Sequence, residues 1–576
     1  MKSLNPHHLN PNVQPQSLTT PYKPNLRLQN ARTLIRTPQS VNTSQDLQKL
    51  IKYRSKNSKI ILHLDQGQVS YSKNITKALL QNSKVSVSLA LASNSSSDPP
   101  SLNLYHSLSN LKYLQNAINF NLPVIIYPND RPRRTKFLSH TLTTLKRLTR
   151  ISLKISDSLR DNEIHSIFRS LYRLPSLSHL ALRFSSQGPS LQLLASCISK
   201  LSHLKGLTLH FLDSPNITQE ELTRLSPIFL KLSLLSEVDI KLGNAEGSTA
   251  QTITTFLDSV ATLKYLIKLH LSIAEDIYYR NPWRTNSLSL NLKKLNTASL
   301  RELFLEFDEA FTDPTFASLS WSLTRFSSLQ TLSIDFSKSI YITESSISQL
   351  VTDLEQLSKL TCLTLAFSHF YQNMIKAFSQ NLSSLTGLTD LTLNFKGCLQ
   401  ESIESVKVLS SSFEKLKGLR SLALIFHNNK TMNDQTLELL MKGIEKLEGL
   451  KSFEIDLSGR LKVGNKGIKA IASSLSHLQN LSDLKLSLET YYPESLSLKA
   501  VASILKPLHS LHSFELKGYG IACFPEGNDV DFFLSVAQDL KSLQKINLIF
   551  EWRVPFEIKV GPLKHQKCIT VSIINN

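Results

Sequence analysis

The sequence predicts an α/β solenoid, a linear stack of helix–strand units, and three observations carry that expectation. The first is a recurring phrase, L-x-x-L-x-x-L-x-x-L-x-L-x-F with conservative swaps. Its third apolar position falls at Leu148, Leu177, Leu204, Leu235, Leu266, Leu300, Leu329, Leu360, Leu388, Leu419, Leu450, Leu481, Leu511 and Leu543. The second is the mean spacing of those leucines, roughly 30 residues, which lies in the range of repeat architectures. The third is a switch of periodicity within each phrase. In 382–395, Leu382, Leu385 and Leu388 continue a helical pattern, whereas Leu391, Leu393 and Phe395 alternate with Asp390, Thr392 and Asn394 as a half-buried strand does. A unit of helix, tight corner and short strand cannot bury its apolar face alone, so the units must stack.

Residues 1–45 precede the array as a basic, proline-rich extended tail. They hold no acid, five Lys or Arg, and prolines at 6, 11, 15, 21, 24 and 38, a composition that cannot build a core. Such a tail stays disordered until bound, and Arg27, Arg32 and Arg36 are its candidate contacts to an acidic partner. An organelle transit peptide, and with it mitochondrial import, is a minority reading, because the prolines oppose the amphipathic helix that import needs.

Residues 46–140 keep the alternation in degraded form, at Ile60, Leu62 and Leu64, at Val85, Val87, Leu89 and Leu91, and at Val124 and Ile126. Three irregular repeats capping the N-terminal end are expected, since an open solenoid would otherwise expose an apolar face. A run of Arg131, Arg133, Arg134 and Lys136 follows Pro128 and is a second candidate for docking an acidic partner. Residues 1–140 carry 18 of the 65 basic and 4 of the 45 acidic residues, a net of +14 within a chain of +20. That field draws acidic surfaces, nucleic acid being a less favoured partner.

Residues 141–551 form the array of about fourteen units. Helix starts are marked by Thr218 with Glu221, by Thr343, and by Asn433 or Asp434. On the strands, the positions between buried residues point outward, and their chemistry changes along the chain. Arg150, Lys154, His179, Arg183 and His210 come first. Glu237, Asp239, Glu302, Glu306 and Asp335 follow, then Asp390, Glu454, Asp456 and Asp483. A face grading from basic to acidic is expected, with a small, weakly charged floor at Ser333, Thr364, Ala366, Thr392 and Ala423. Aromatic residues recur after the strands, at Tyr278, Tyr279 and Trp283 beside Arg284, at Tyr371, and at Tyr491 and Tyr492. Equivalent offsets put them along one edge, and these residue types anchor interfaces. Residues 552–576 leave the repeat. Phe556, Ile558 and Val560 alternate, Gly561-Pro562 breaks the run, and Ile569, Val571 and Ile573 alternate again, as in a hairpin cap.

These repeats resemble the leucine-rich repeat family, and the period with one helix per unit is similar to its ribonuclease-inhibitor-like class. The resemblance implies a curved horseshoe with a parallel sheet on the concave face and helices on the convex face. It also implies an Asn or Cys ladder after each strand, but the matching sites hold Ser185, Leu212, Gly243, Ala274, Asp308, Ser337, Ser368, Lys396 and His427. The residue before each is apolar instead, Phe184, Phe211, Leu242, Ile273, Phe307, Phe336, Phe367, Phe395 and Phe426. A strand one buried residue longer and a looser turn are expected.

The sequence shows no nucleophile elbow, phosphate loop, kinase set or metal spacing, so neither catalysis nor a cofactor is expected. Five cysteines without a C-x-x-C pair, no apolar leader and no apolar run of membrane length point to an intracellular chain, cytoplasmic or cytoskeletal. The function expected is a protein-interaction scaffold that binds through its concave face and aromatic edge. A structural component of a large assembly, microtubule-based or ribonucleoprotein, is the alternative. A substrate receptor resembling F-box leucine-rich repeat proteins lacks its F-box here. A GTPase activator resembling the Ran type would have to use Arg131 to Arg134 and lacks the usual acidic tail.

Overall fold

The computed structural model describes most of 139–155, then 160–184, 191–211, 219–242, 250–273, 292–307, 313–337, 342–367, 374–398, 402–429, 432–459, 463–489, 498–519, 527–552 and 568–575, with four strands before them. Those four are β1 (Arg27–Gln29), β2 (Lys59–Asp65), β3 (Ser86–Ala92) and β4 (Asn119–Leu122). The array continues with β5 (Arg150–Ile155), β6 (His179–Phe184), β7 (Gly206–Phe211), β8 (Glu237–Leu242), β9 (Lys268–Ile273) and β10 (Glu302–Phe307). Next come β11 (Thr331–Asp335), β12 (Cys362–Ala366), β13 (Asp390–Asn394), β14 (Ser421–Ile425) and β15 (Ser452–Leu457). The last four are β16 (Asp483–Glu489), β17 (Ser513–Tyr519), β18 (Lys545–Trp552) and β19 (Cys568–Asn575).

Each strand from β5 to β18 begins two residues after one of the fourteen repeat leucines, and each of those leucines is 4 % exposed or less. The leucine closes the corner between helix and strand, and its burial fixes where pairing starts. From β2 onward every strand pairs in parallel with its successor in sequence, giving one sheet of 19 strands with β1 antiparallel at its end. This is an α/β repeat solenoid. Strands repeat about every 4.8 Å whereas packed helices need about 8–10 Å, so a stack of such units curves with the sheet on the inside.

Within the core, helices present one apolar stripe to the sheet. Leu437, Leu440, Met441 and Ile444 of the helix Asp434–Ile444 are all buried, at the spacing a helix face requires. The expected aromatic column exists. Phe336, Phe367, Phe395 and Phe426 are fully buried, and successive rings stack at 5.7, 5.9 and 5.8 Å between centroids. Phe184 and Phe211 stack likewise at 4.9 Å. In β6 and β7 the strand ends on this residue. At β11 to β14 it falls just beyond the strand, yet its N–H still bonds across, as from Phe395 to the Ile425 carbonyl at 2.8 Å.

The turn corrects two expectations. It is not loose after β13 to β15, where Gly397, Asn428 and Gly459 occupy equivalent left-handed positions with φ of 67°, 55° and 93°. A ladder is also present, two residues later than the family spacing implies. The Cys398 thiol donates to the Phe367 carbonyl at 3.4 Å, and Asn429 Nδ2 to the Phe395 carbonyl at 3.3 Å, each from a fully buried side chain.

Helix starts differ in part. Asn433 caps its own helix, accepting the N–H groups of Gln435 and Thr436 at 3.0 and 3.1 Å. Thr343 does not cap its helix with its side chain; Asp313 of the preceding unit accepts the Thr343 N–H at 2.8 Å and the Ser346 hydroxyl at 2.7 Å. Asp434, four units on, reaches its own next unit likewise, accepting the N–H groups of Gly464 and Gly467 at 2.7 and 2.9 Å. Thr218 and its cap lie outside the described residues.

At the ends, Arg27–Gln29 forms β1, and the rest of 1–45 lies outside the description. Val124 and Ile126, where alternation is expected, follow β4 and lie outside the described residues. The hairpin expected over 552–576 would need 556–560, so it is not described beyond its last strand. β19 runs parallel to β18, with Ile569, Val571 and Ile573 beside Ile546, Leu548 and Phe550. Phe556 to Val560 lie outside the described residues.

Candidate functional site

Because the strands pair in register, their outward residues form three rows that run across the sheet. One row reads Arg150, His179, Gly206, Glu237, Lys268, Glu302 from β5 to β10. The middle row reads Ser152, Ala181, Thr208, Asp239, His270, Phe304, and the third Lys154, Arg183, His210, Lys241, Ser272, Glu306. Glu237, Lys268, Glu302 and Glu306 are 40–44 % exposed on this face. Its side chains meet one another.

His270 is at the centre of the densest group. Its Nδ1 stands 3.0 Å from Asp239 Oδ1 and its Nε2 3.1 Å from Glu306 Oε1. His210 Nε2 stands 3.0 Å from the other Asp239 oxygen, and Lys241 Nζ lies 2.9 Å from Glu306 Oε2. The two contacts at Asp239 are ion-pair contacts lying off the line of a straight hydrogen bond. Lys268 pairs with Glu302 at 2.9 Å and rests 4.8 Å from the Phe304 ring centre.

Burial alone would lower the His270 pKa, but the Asp239 and Glu306 carboxylates outweigh it and push it up to about 9. His270 and Lys241 together hold Glu306 down to about 2, against the opposing effect of burial. Burial would raise Asp239, and the two imidazoles beside it hold it well below the usual carboxylate range instead. The group is thus a charged cluster at neutral pH.

Beside it, β5 to β9 form a depression of about 360 Å³. Ser152, Ala181, Gly206 and Thr208 make its floor, and Arg150, His179, Arg183, Glu237, Asp239 and Lys268 its rim. The His179 ring lies over Gly206, where any Cβ would strike it, and reaches Glu237 at 3.6 Å. Burial and the nearby Arg150 charge lower the His179 pKa more than Glu237 raises it.

The structure brings together Arg150, Arg183, Glu302 and Glu306 of the expected site residues; Lys154 shares their face by register. Asp335 stands further along, at β11, where its Oδ1 accepts the Ser337 N–H at 2.8 Å and so shapes the turn. Asp456 does the same for Ser458 at 2.9 Å. Tyr278, Tyr279, Trp283, Arg284, Tyr371, Tyr491 and Tyr492 lie outside the described residues, as do Arg32, Arg36, Arg131, Arg133, Arg134 and Lys136; Arg27 lies on β1. The middle units are not the acidic band expected. Lys241, Lys268 and His270 alternate with the acids there, as Lys485 does beside Glu454 at 3.1 Å. Writing the strands as aligned rows would have revealed them, since all four occupy outward positions.

Among the described residues, no helix is long and apolar enough to cross a membrane, and no group of three His, Cys, Asp or Glu is placed to hold a metal ion.

The chain matches no protein-family model and no curated protein. Among solved structures it is similar to a chain in the crystal structure of the Rad7 and Elc1 complex in yeast, at 14% identity and a TM-score of 0.34 over 82% of this chain and 83% of that one. It is also similar to the leucine-rich repeat-containing protein LegL7 from Legionella pneumophila, at 14% identity and a TM-score of 0.32 over 62% of this chain and 97% of that one. The fold stands on the strand register and the buried leucines.

Proposed function

We propose that the chain is a non-catalytic protein-binding scaffold of the leucine-rich repeat kind, whose principal contact face is the outward side of β5 to β10. The observation that carries this reading is the field of charged, partly exposed side chains across six neighbouring strands. Charge arranged so favours specificity and encounter rate over bulk affinity. The aromatic edge at Tyr278–Arg284 and the basic residues 131–136 extend the proposal as accessory contacts, the latter to an acidic partner. A second reading, a component of a large assembly, is favoured by the net +14 of residues 1–140.

The test is capture from native extract at two salt concentrations, using the full chain and three variants. Arg183→Glu with Glu306→Lys disrupts the face, Lys442→Glu alters an exposed helix position as control, and Arg131→Glu, Arg133→Glu and Arg134→Glu together remove the basic run. A major partner lost with the face variant and kept by the control supports the scaffold reading. Loss only with the basic run and at high salt supports the assembly reading instead. A partner that all three variants retain overturns both.

A further inference from the structure

We infer that the depression across β5 to β9 takes an extended peptide carrying an acidic side chain and, four residues away, a basic one. The inference rests on the scaffold reading and names the chemistry of its partner.

The rim of the depression changes sign along its length, basic at β5 and β6 and acidic at β8, with Lys268 of β9 beyond it held by Glu302 at 2.9 Å. At β5 and β6, Arg150 and Arg183 flank the small middle row, and neither has a carboxylate partner among the described residues. Arg183 Nη1 donates to Ser152 Oγ at 3.0 Å, which orients the guanidinium along the floor. A guanidinium carries five donors in a fixed fork, so most of both forks remains for an incoming carboxylate. At β8 the sign reverses. Glu237 is half-exposed, and its partner His179 is a weak one, because burial and Arg150 disfavour the imidazolium. Lys268 stands beside Glu237 in register but pairs with Glu302 at 2.9 Å, so the charge on Glu237 is left for an incoming cation.

The spacing fits one occupant. Between the arginines and Glu237 lie two to three strand intervals, about 12 Å at about 4.8 Å each. An extended peptide laid across the strands presents side chains to the same face every second residue, so positions four apart stand about 13 Å apart. The residue between them would rest on Ala181 and Thr208, where only a small side chain fits. A phosphate group fits less well, because the Glu237 and Asp239 carboxylates on the same rim repel a dianion.

The test uses the purified full chain and a phage-displayed library of random heptapeptides. Enriched peptides are expected to hold Asp or Glu and, four positions away, Lys or Arg. Arg150→Ala with Arg183→Ala should weaken their binding about tenfold or more. Glu237→Gln should abolish the preference for the basic residue and keep that for the acidic one. Both arginines and Glu237 sit on the outward face, and matching thermal melts confirm that the variants fold. Enrichment without this charge pair, or equal binding to the arginine variant, overturns the inference. Displacement by millimolar inorganic phosphate does so too, and marks a general anion pocket. Peptides that depend instead on Glu454 and Lys485 overturn this placement while leaving the scaffold reading standing.

Discussion

His270 sits between two carboxylates, and its charge is the reason Asp239 and Glu306, 29 and 43 % exposed, can stand beside it and not repel. The pH dependence follows from the directions of the shifts. A histidine raised from its usual 6.5 to about 9 stabilises fully below 6.5, and that contribution is lost as the pH rises through 9. Glu306, lowered from 4.5 to about 2, stabilises fully above 4.5 and loses this as the pH falls through 2. The cluster is therefore strongest between 4.5 and 6.5. His270→Gln should lower the melting temperature most in that window, with the difference from wild type shrinking toward alkaline pH. A difference that stays constant across the range would sink this account. A second residue, Gly459, has a φ of 93°, and a Cβ there would press on Asn428. Gly459→Ala is expected to cost about 1–3 kcal/mol in urea unfolding. Both residues were present in the sequence without their meaning. His270 gains its partners only through cross-strand register, and a left-handed glycine declares itself only through its turn.

Helices in this chain are capped partly by their neighbours. Asp434 accepts two N–H groups from the start of the next unit's helix, and Asp313 accepts one N–H and one hydroxyl from its own neighbour. An N-cap read locally looks for an acceptor on the same segment, which is why Thr343 seemed sufficient and Asp313 went unnoticed. Asp434→Ala should cost about 0.5–2 kcal/mol. Hydrogen exchange should quicken at Gly464 and Gly467 and leave the helix Asp434–Ile444, which Asn433 caps, unchanged. Exchange that quickens in Asp434–Ile444 instead would show the cap acting within its own unit. The strands themselves were legible almost to the residue, because the leucine before each one and the alternation after it are both local signals. The ladder was missed since Cys398 and Asn429 follow the inserted aromatic and sit off the spacing the family resemblance implies.

Across the whole molecule, each unit packs on the one before and the one after. Stability in such an array is a sum of unit and nearest-neighbour terms. Leu391→Asp places a charge in a site 1 % exposed, and the opening it causes should spread to β12 and β14 and fade beyond them. Hydrogen exchange by mass spectrometry resolves this: protection lost evenly from β5 to β18 would contradict a nearest-neighbour array. The architecture was readable because a phrase repeated fourteen times outweighs any single irregular unit. The binding face was not, because what makes it a face is adjacency between residues about thirty positions apart, whose register no one segment contains.

The column of stacked rings has a mechanical consequence. Where Phe336, Phe367, Phe395 and Phe426 touch ring to ring, a change in the angle between units must shear flat surfaces past one another, which resists bending. The column is interrupted at β8, where the buried Leu242 takes the ring position. Resistance to bending is thus greatest from β11 to β14, and beneath the charged depression it rests on the single stacked pair of Phe184 and Phe211.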